Sequence, residues 1–186
     1  NVDKISLWRG DITRLSVDAI VNAANSQMLG CFVPCHGCID NAIHTCSGVQ
    51  LRLACAELMK CQAEKERTGC AKITPAFNLP SKYVIHTVGP IVTGNVSQGD
   101  CDLLASCYRS CLKLAEQNNL KSVAFCCIST GEFHFPNDIA AQIAVSTVRD
   151  HLSKTKSGIK VVFDVFKEAD YEIYRRLFGS DRAVEE

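Results

Sequence analysis

At 186 residues with 47% hydrophobic content, the chain has the size of one compact domain able to bury a real core, and a single domain over residues 1–186 is expected. Twenty Lys and Arg balance twenty Asp and Glu, so no overall basic field exists to gather nucleic acid and any anion must be held by local geometry. No apolar run reaches the ~18 residues of a membrane span, and the opening NVDKISLWRGD lacks the apolar centre of a signal peptide, which predicts an intracellular, cytoplasmic protein with no membrane partner.

KISLWRGD is the opening strand, and VDAIVNAAN is a buried strand that ends in polar residues. Residues from about 39 to 63 read as helical, with Ile43, Leu51, Ala54, Cys55 and Leu58 at mixed three and four spacing. YVIHTVGP is an apolar strand closed by Gly89 and Pro90. A helix is expected over about 100–118, with Asp100 or its neighbour as cap and an Asn pair as stop. SVAFCCIST is another buried strand. Asn137 or Asp138 opens a helix reaching about His151, and IKVVFDVF is a last strand before the helix DYEIYRRLF. Apolar strands separated by helices predict an α/β fold with a largely parallel sheet covered on both faces. Asn1 stands where an initiator Met would, so an upstream segment is expected.

Of the twelve cysteines, Cys55, Cys107, Cys111, Cys126 and Cys127 fall in apolar patterns and read as reduced core residues, since free Cys is among the most buried residue types. His86 lies within a strand and reads as a core or sheet-edge histidine. His151, near a helix end, reads as a surface residue, and His134 stays unassigned.

In a parallel sheet, ligands bind beyond the carboxyl ends of the strands, and AIVNAAN, FCCISTGEF and VVFDVFKEAD all turn polar or glycine-rich there. Ser129, Thr130 and Gly131 can turn backbone N–H groups toward an anion at the start of a helix. The plainer alternative is a connector that needs Gly131 for its backbone angles. Asp11, after the first strand, can accept from an exocyclic amino group such as that of adenine, although Asp after Gly is more often a turn. Asn22 and Asn25 end a buried strand, where amides are costly unless paired with backbone or ligand.

Together these pieces resemble the macrodomain family: GDIT (10–13), VDAIVNAANS (17–26), IDNAIH (39–44), VIHTVGP (84–90), ISTGEF (128–133), PNDIAA (136–141) and VF…DYEIY (165–174), in order and across most of the chain. The resemblance implies a three-layer α/β/α fold with a mixed, mostly parallel central sheet that binds ADP-ribose. It implies Asp11 on the adenine amino group with Ile12 nearby, and Phe166 beside adenine, for which an ordinary strand-end aromatic remains as good a reading. The loop of Ser129, Thr130, Gly131, Glu132 and Phe133 would hold the diphosphate, with Phe133 beside the distal ribose. Asn25 would touch that ribose, and Asp40 falls where hydrolytic members carry a catalytic carboxylate, with His44 one helical turn later.

One segment departs from the pattern. Most hydrolytic macrodomains place a run of glycines between the NAAN strand and the next helix; here the segment is GCFVPCHGCID, residues 30–40. Cys31, Cys35, His36 and Cys38 are four candidate ligands. Four would close a zinc site and make it structural; three would leave it open to substrate. Adjacent Cys35 and His36 seldom fit one tetrahedron. The chain is similar here to the zinc-dependent branch of the MacroD-type macrodomains, and that resemblance implies Zn2+ on Cys31, His36 and Cys38 with Cys35 left out. The implied activity is removal of ADP-ribose from acidic side chains of mono-ADP-ribosylated proteins, with zinc polarising a ribose hydroxyl or a water, Asp40 orienting that water and Asn25 positioning the ribose. Relatives of this branch suggest a lipoyl-carrier-type protein modified by a sirtuin as substrate. A non-catalytic ADP-ribose reader with a structural zinc is the alternative, and nucleic acid is not an expected partner.

Overall fold

The computed structural model describes residues 4–62 and 64–179. Six strands, β1 (Ile5–Arg9), β2 (Ala19–Ala24), β3 (Ala71–Pro75), β4 (Tyr83–Val88), β5 (Ser122–Phe125) and β6 (Lys160–Val165), form one sheet in the order β1-β6-β5-β2-β4-β3. Every neighbouring pair is parallel except β3 with β4, so the sheet is mixed but mostly parallel, as expected. Four α-helices connect strands, α1 (Ile39–Ser47), α2 (Val49–Lys60), α3 (Gln98–Gln117) and α4 (Asn137–Lys154), and α5 (Glu168–Phe178) follows β6. A 3-10 turn, Ile12–Arg14, follows β1.

The apolar runs become strands because both faces of a covered parallel sheet are dry. Ile20, Val21, Val84, Ile85, Val123, Ala124 and Val161 are all fully buried. Helices α1 and α2 pack on each other, and α3, α4 and α5 form a separate pack. Under the latter, an aromatic chain runs from Tyr108 through Phe125 and Phe163 to Tyr174, with ring centroids 4.9, 6.2 and 5.3 Å apart at successive steps. Cys55, Cys107, Cys111 and Cys126 are buried and free in this interior, while Cys127 is half-buried. No helix among the described residues is long and apolar enough to cross a membrane.

Three sequence expectations give way, and one strand is additional to those expected. The single helix over 39–63 is two helices that meet at Gly48; its φ of +92° is a left-handed-side angle that ends α1, and its N–H still bonds the His44 carbonyl at 3.1 Å. Apolar positions continue on both sides of the break, which is why periodicity alone reads through it; residue 63, its expected end, lies outside the described residues. The third helix starts at Gln98, capped by Ser97, and Asp100 is the reciprocal member of a capping box rather than the cap. β3 was absent from the pattern because AKITP is short, carries Lys72 and Pro75, and sits on an edge. His151 is not a surface residue: it is buried, with Nε2 3.0 Å from Glu116 Oε1 of α3.

Candidate functional site

Because β1, β2, β4, β5 and β6 run parallel, their carboxyl ends lie along one edge of the sheet. The residues singled out in the sequence follow those ends. Asp11 and Ile12 come after β1, Asn25 after β2, Ser129 to Phe133 after β5, and Phe166 after β6.

At the end of β2 the chain turns back through Met28, whose φ is +63°, and Gly30, whose φ is +86°. Asn25 shapes this turn: its Oδ1 accepts from Gln27 N at 3.0 Å and its Nδ2 donates to the Gly30 carbonyl at 3.2 Å. Gly30 is required twice over, since a Cβ there would also fall 2.9 Å from Cγ of the His44 ring.

The loop then delivers Cys31, His36 and Cys38, all half-buried, with their ligand atoms within 4.8 Å of one another. Cys31 Sγ and His36 Nδ1 are 3.5 Å apart. Two thiols and an imidazole are the soft N/S donor set that zinc takes, and sulfurs on a tetrahedral zinc lie about 3.8 Å apart at ordinary bond lengths, so only a small contraction separates this cluster from a three-ligand site. A second feature fits a metal. His36 Nε2 lies 3.3 Å from Glu132 Oε1, so one ring nitrogen faces a carboxylate while the other, Nδ1, faces Cys31 Sγ. Cys35 is exposed, has a φ of +54° and stands outside the cluster.

Cys38 also caps α1, its Sγ accepting from Asn41 N at 3.3 Å. Two residues later, in the first turn, Asp40 is 5% exposed. Asn22 Nδ2, from β2, donates to Asp40 Oδ1 at 2.8 Å. His44, one turn further along α1, brings Nε2 to 3.5 Å from the same oxygen, and neither of its ring nitrogens has a hydrogen-bond partner. Burial pushes the Asp40 carboxyl above its ordinary range, against the Asn22 bond and the charges of His44 and Arg52. Burial likewise pushes His44 down, against the pull of Asp40. A buried carboxyl with a raised pKa thus stands two residues along the chain from Cys38, a member of the donor cluster.

The segment after β5 has the features of an anion cradle. Ser129 is buried with φ +65° and its Oγ has no partner; His134 has φ +59°. The loop is tied by Phe135 N donating to the Ser129 carbonyl at 2.9 Å and by Thr130 Oγ1 donating to the Cys127 carbonyl at 3.1 Å. Among the described residues, no N–H from 130 to 133 is spent on a backbone carbonyl. Gly131 is not needed for its angle, since its φ is not positive and a Cβ there would meet nothing within 4 Å. The unusual backbone belongs to Ser129 instead. Gly89, after β4, packs so tightly on this loop that a Cβ would fall on Ser129 Oγ and 2.9 Å from Ile128 Cγ2.

At the far end, Asp11 Oδ1 accepts from Thr13 N at 3.0 Å and Thr13 Oγ1 at 2.6 Å, which leaves Oδ2 with only Arg14 Nε at 3.9 Å. Phe166 is 74% exposed, so it is not a core aromatic. Behind Asp11, sequence reasoning overlooked Asp164 of β6. This carboxyl is buried, its Oδ1 has no partner, and burial together with the Asp11 charge pushes its pKa up to about 8. His86 is the core histidine expected from the sequence, wholly buried between Asn22 and Thr74; the signal that pointed toward this contact was Asn22 itself, an amide in a buried strand that had to find partners.

The Macro domain family profile matches residues 21–144. A protein-ADP-ribose hydrolase of Treponema medium is 62% identical over 173 residues, covering 93% of this chain and 66% of that protein. Among solved structures, the Oceanobacillus iheyensis macrodomain with ADP superposes with a TM-score of 0.85 at 38% identity, covering 94% of this chain and 90% of the other. The Trypanosoma brucei macrodomain in complex with ADP-ribose gives 0.81 at 38% identity, covering 95% and 69%.

Proposed function

Since the chain belongs to the Macro domain family, we propose that it is a zinc-dependent protein mono-ADP-ribosylhydrolase that removes ADP-ribose from acidic side chains. One observation carries this reading. Buried Asp40 sits in the first turn of a helix capped by Cys38, and Cys38 belongs to the clustered donors Cys31, His36 and Cys38.

In this proposal Asp11 and Ile12 take the adenine with Phe166 against its face, and the N–H groups of the Ser129–Phe133 loop hold the diphosphate. Glu132 steadies His36 from the same loop. Asn25 positions the distal ribose. Cys31, His36 and Cys38 would hold the zinc, which would supply Lewis acidity near the distal ribose. Asp40 orients the attacking water and accepts its proton. The water oxygen bonds C1'' of the distal ribose and becomes its hydroxyl as the C1''–O bond to the side-chain carboxyl breaks, leaving a carboxylate and free ADP-ribose with the water's proton on Asp40. The proposed substrate is an aspartyl- or glutamyl-modified protein of the lipoyl-carrier type, modified by a sirtuin.

The test is ADP-ribose release from an aspartyl mono-ADP-ribosylated protein by the native chain, Cys38→Ala and Asp40→Ala, with zinc quantified in each. The expected result is close to one zinc per native chain. Asp40→Ala should lose about 10² to 10⁴-fold in turnover while still binding ADP-ribose, the range general acid–base help supplies. Binding without turnover by the zinc-loaded native chain on both aspartyl and glutamyl linkages would make the domain a reader and its metal a staple.

A further inference from the structure

Three buried groups behind Asp40, namely His44, Cys55 and His86, bring their ligand atoms within 4.8 Å of one another. They do not form a second metal site, because both His86 nitrogens are already engaged. Nδ1 lies 3.1 Å from Asn22 Nδ2, and Nε2 lies 2.9 Å from Thr74 Oγ1 and 3.6 Å from Cys55 Sγ. The Asn22 amide nitrogen has two hydrogens and no lone pair to offer, and one hydrogen points at Asp40 Oδ1 at 2.8 Å. The other must meet a lone pair on His86 Nδ1. This assigns the tautomer: the ring proton is on Nε2, and it is donated to Thr74.

The order of donors is thus fixed along a line that crosses three strands, Thr74 on β3, His86 on β4 and Asn22 on β2, and ends on α1 at Asp40. His86 and Asn22 are 0% exposed and directly opposite each other in the β2–β4 register, so neither can turn to water for another partner. We propose that His86 and Thr74 are positioning residues for the hydrolysis: neutral His86 holds the Asn22 amide in the one orientation that presents N–H, not carbonyl, to Asp40. Without that acceptor one amide N–H is left buried and unpaired, so the amide tilts about its remaining bond to Asp40 and draws the carboxylate off the line of attack. Misplacing a catalytic group by about 1 Å can cost about 10²-fold in rate without touching the groups that bind substrate. None of these side chains belongs to the adenine or diphosphate end of the cleft.

This inference rests on the hydrolase reading, and the experiment separates the two. Release of ADP-ribose is followed for the zinc-loaded native chain, His86→Leu, His86→Asn and Thr74→Val, with ADP-ribose affinity and zinc content measured on each. Asn places a carbonyl oxygen near the former Nδ1, so it restores the acceptor; Leu does not. The expected pattern is a kcat loss of about 10 to 100-fold in His86→Leu, most of it recovered in His86→Asn, with KM, ADP-ribose affinity and zinc content within about threefold of native. Thr74→Val, nearly isosteric and therefore the variant most secure in its folding, should lose about 3 to 10-fold in kcat by freeing the ring. Equal turnover by the Leu and Asn variants, a loss in KM in place of kcat, or unchanged kcat in Thr74→Val would overturn the positioning role. Absence of turnover in the native chain would overturn the hydrolase reading and this inference with it.

Discussion

His86 makes the fold acid-sensitive by an amount that can be worked out. The ring is wholly buried among Asn22, Thr74, Cys55 and His44, and burial pushes its pKa down to about 3 from an ordinary value of 6.5, with the neighbouring His44 adding to the fall. Between those two values the unfolded chain binds a proton that the folded chain refuses. Stability is therefore intact above about pH 6.5, falls as the pH drops below it, and levels off only beneath about pH 3. At pH 4.5 the proton favours the unfolded state by about 100-fold, or about 2 to 3 kcal/mol, a sizeable part of the stability of a domain this size. The perturbation is His86→Asn, which keeps the acceptor for Asn22 and cannot take up a proton. Urea unfolding of both proteins at pH 7.5 and 4.5 isolates the effect, because Asp40 and His44 titrate in each and cancel in the comparison. The native chain should lose about 2 to 3 kcal/mol more than the variant over that interval. Equal losses would refute the buried, neutral state of His86.

Gly89→Ala drives a methyl group into Ser129 and Ile128, so ADP-ribose affinity measured by calorimetry should fall by about tenfold or more. Affinity within a factor of two of native would remove Ser129 from the ligand cradle. Treating the zinc-loaded protein with a strong chelator, or replacing His36 with Ala, should release the metal by atomic absorption and raise thiol reactivity at Cys31 and Cys38. Full zinc retention in His36→Ala would take His36 out of the donor set. Cys111→Ser puts a hydroxyl in a fully buried apolar site and should lower stability by about 1 to 3 kcal/mol in thermal melts, whereas exposed Cys46→Ser should change it by less than about 0.5.

The parts legible in the sequence were those set by local rules. Continuous apolar runs marked β2, β4, β5 and β6 because a doubly covered sheet requires them, and the polar turns at their carboxyl ends marked the cleft. The loop of Cys31, His36 and Cys38 was readable because its donors are close in sequence as well as in space. What failed depended on partners far along the chain. Nothing near His151 reveals that Glu116 waits on a neighbouring helix, and nothing in AKITP shows that β4 will accept it as an antiparallel edge. Gly48 carried a visible signal, but an unbroken apolar periodicity outweighed it. Asn22 was legible as an amide in need of partners, while the identity of those partners required the β2–β4 register.

The two ends of the cleft are assembled from contacts of very different range. Asn22, Cys31, His36, Cys38, Asp40, Thr74 and His86 lie within one stretch of the chain, joined by β2, β3, β4 and α1. The proposed adenine end depends on β1 lying against β6, with Ile5 opposite Val161 and Arg9 opposite Val165. That pairing joins segments about 155 residues apart in the chain, so its loop-closure entropy is among the largest in the fold, and contacts of such high order form late. On the proposed reading, the metal-ligand loop and its carboxylate can take shape while the nucleobase pocket still lacks a wall, and the cleft becomes selective for its whole ligand only when β1 meets β6.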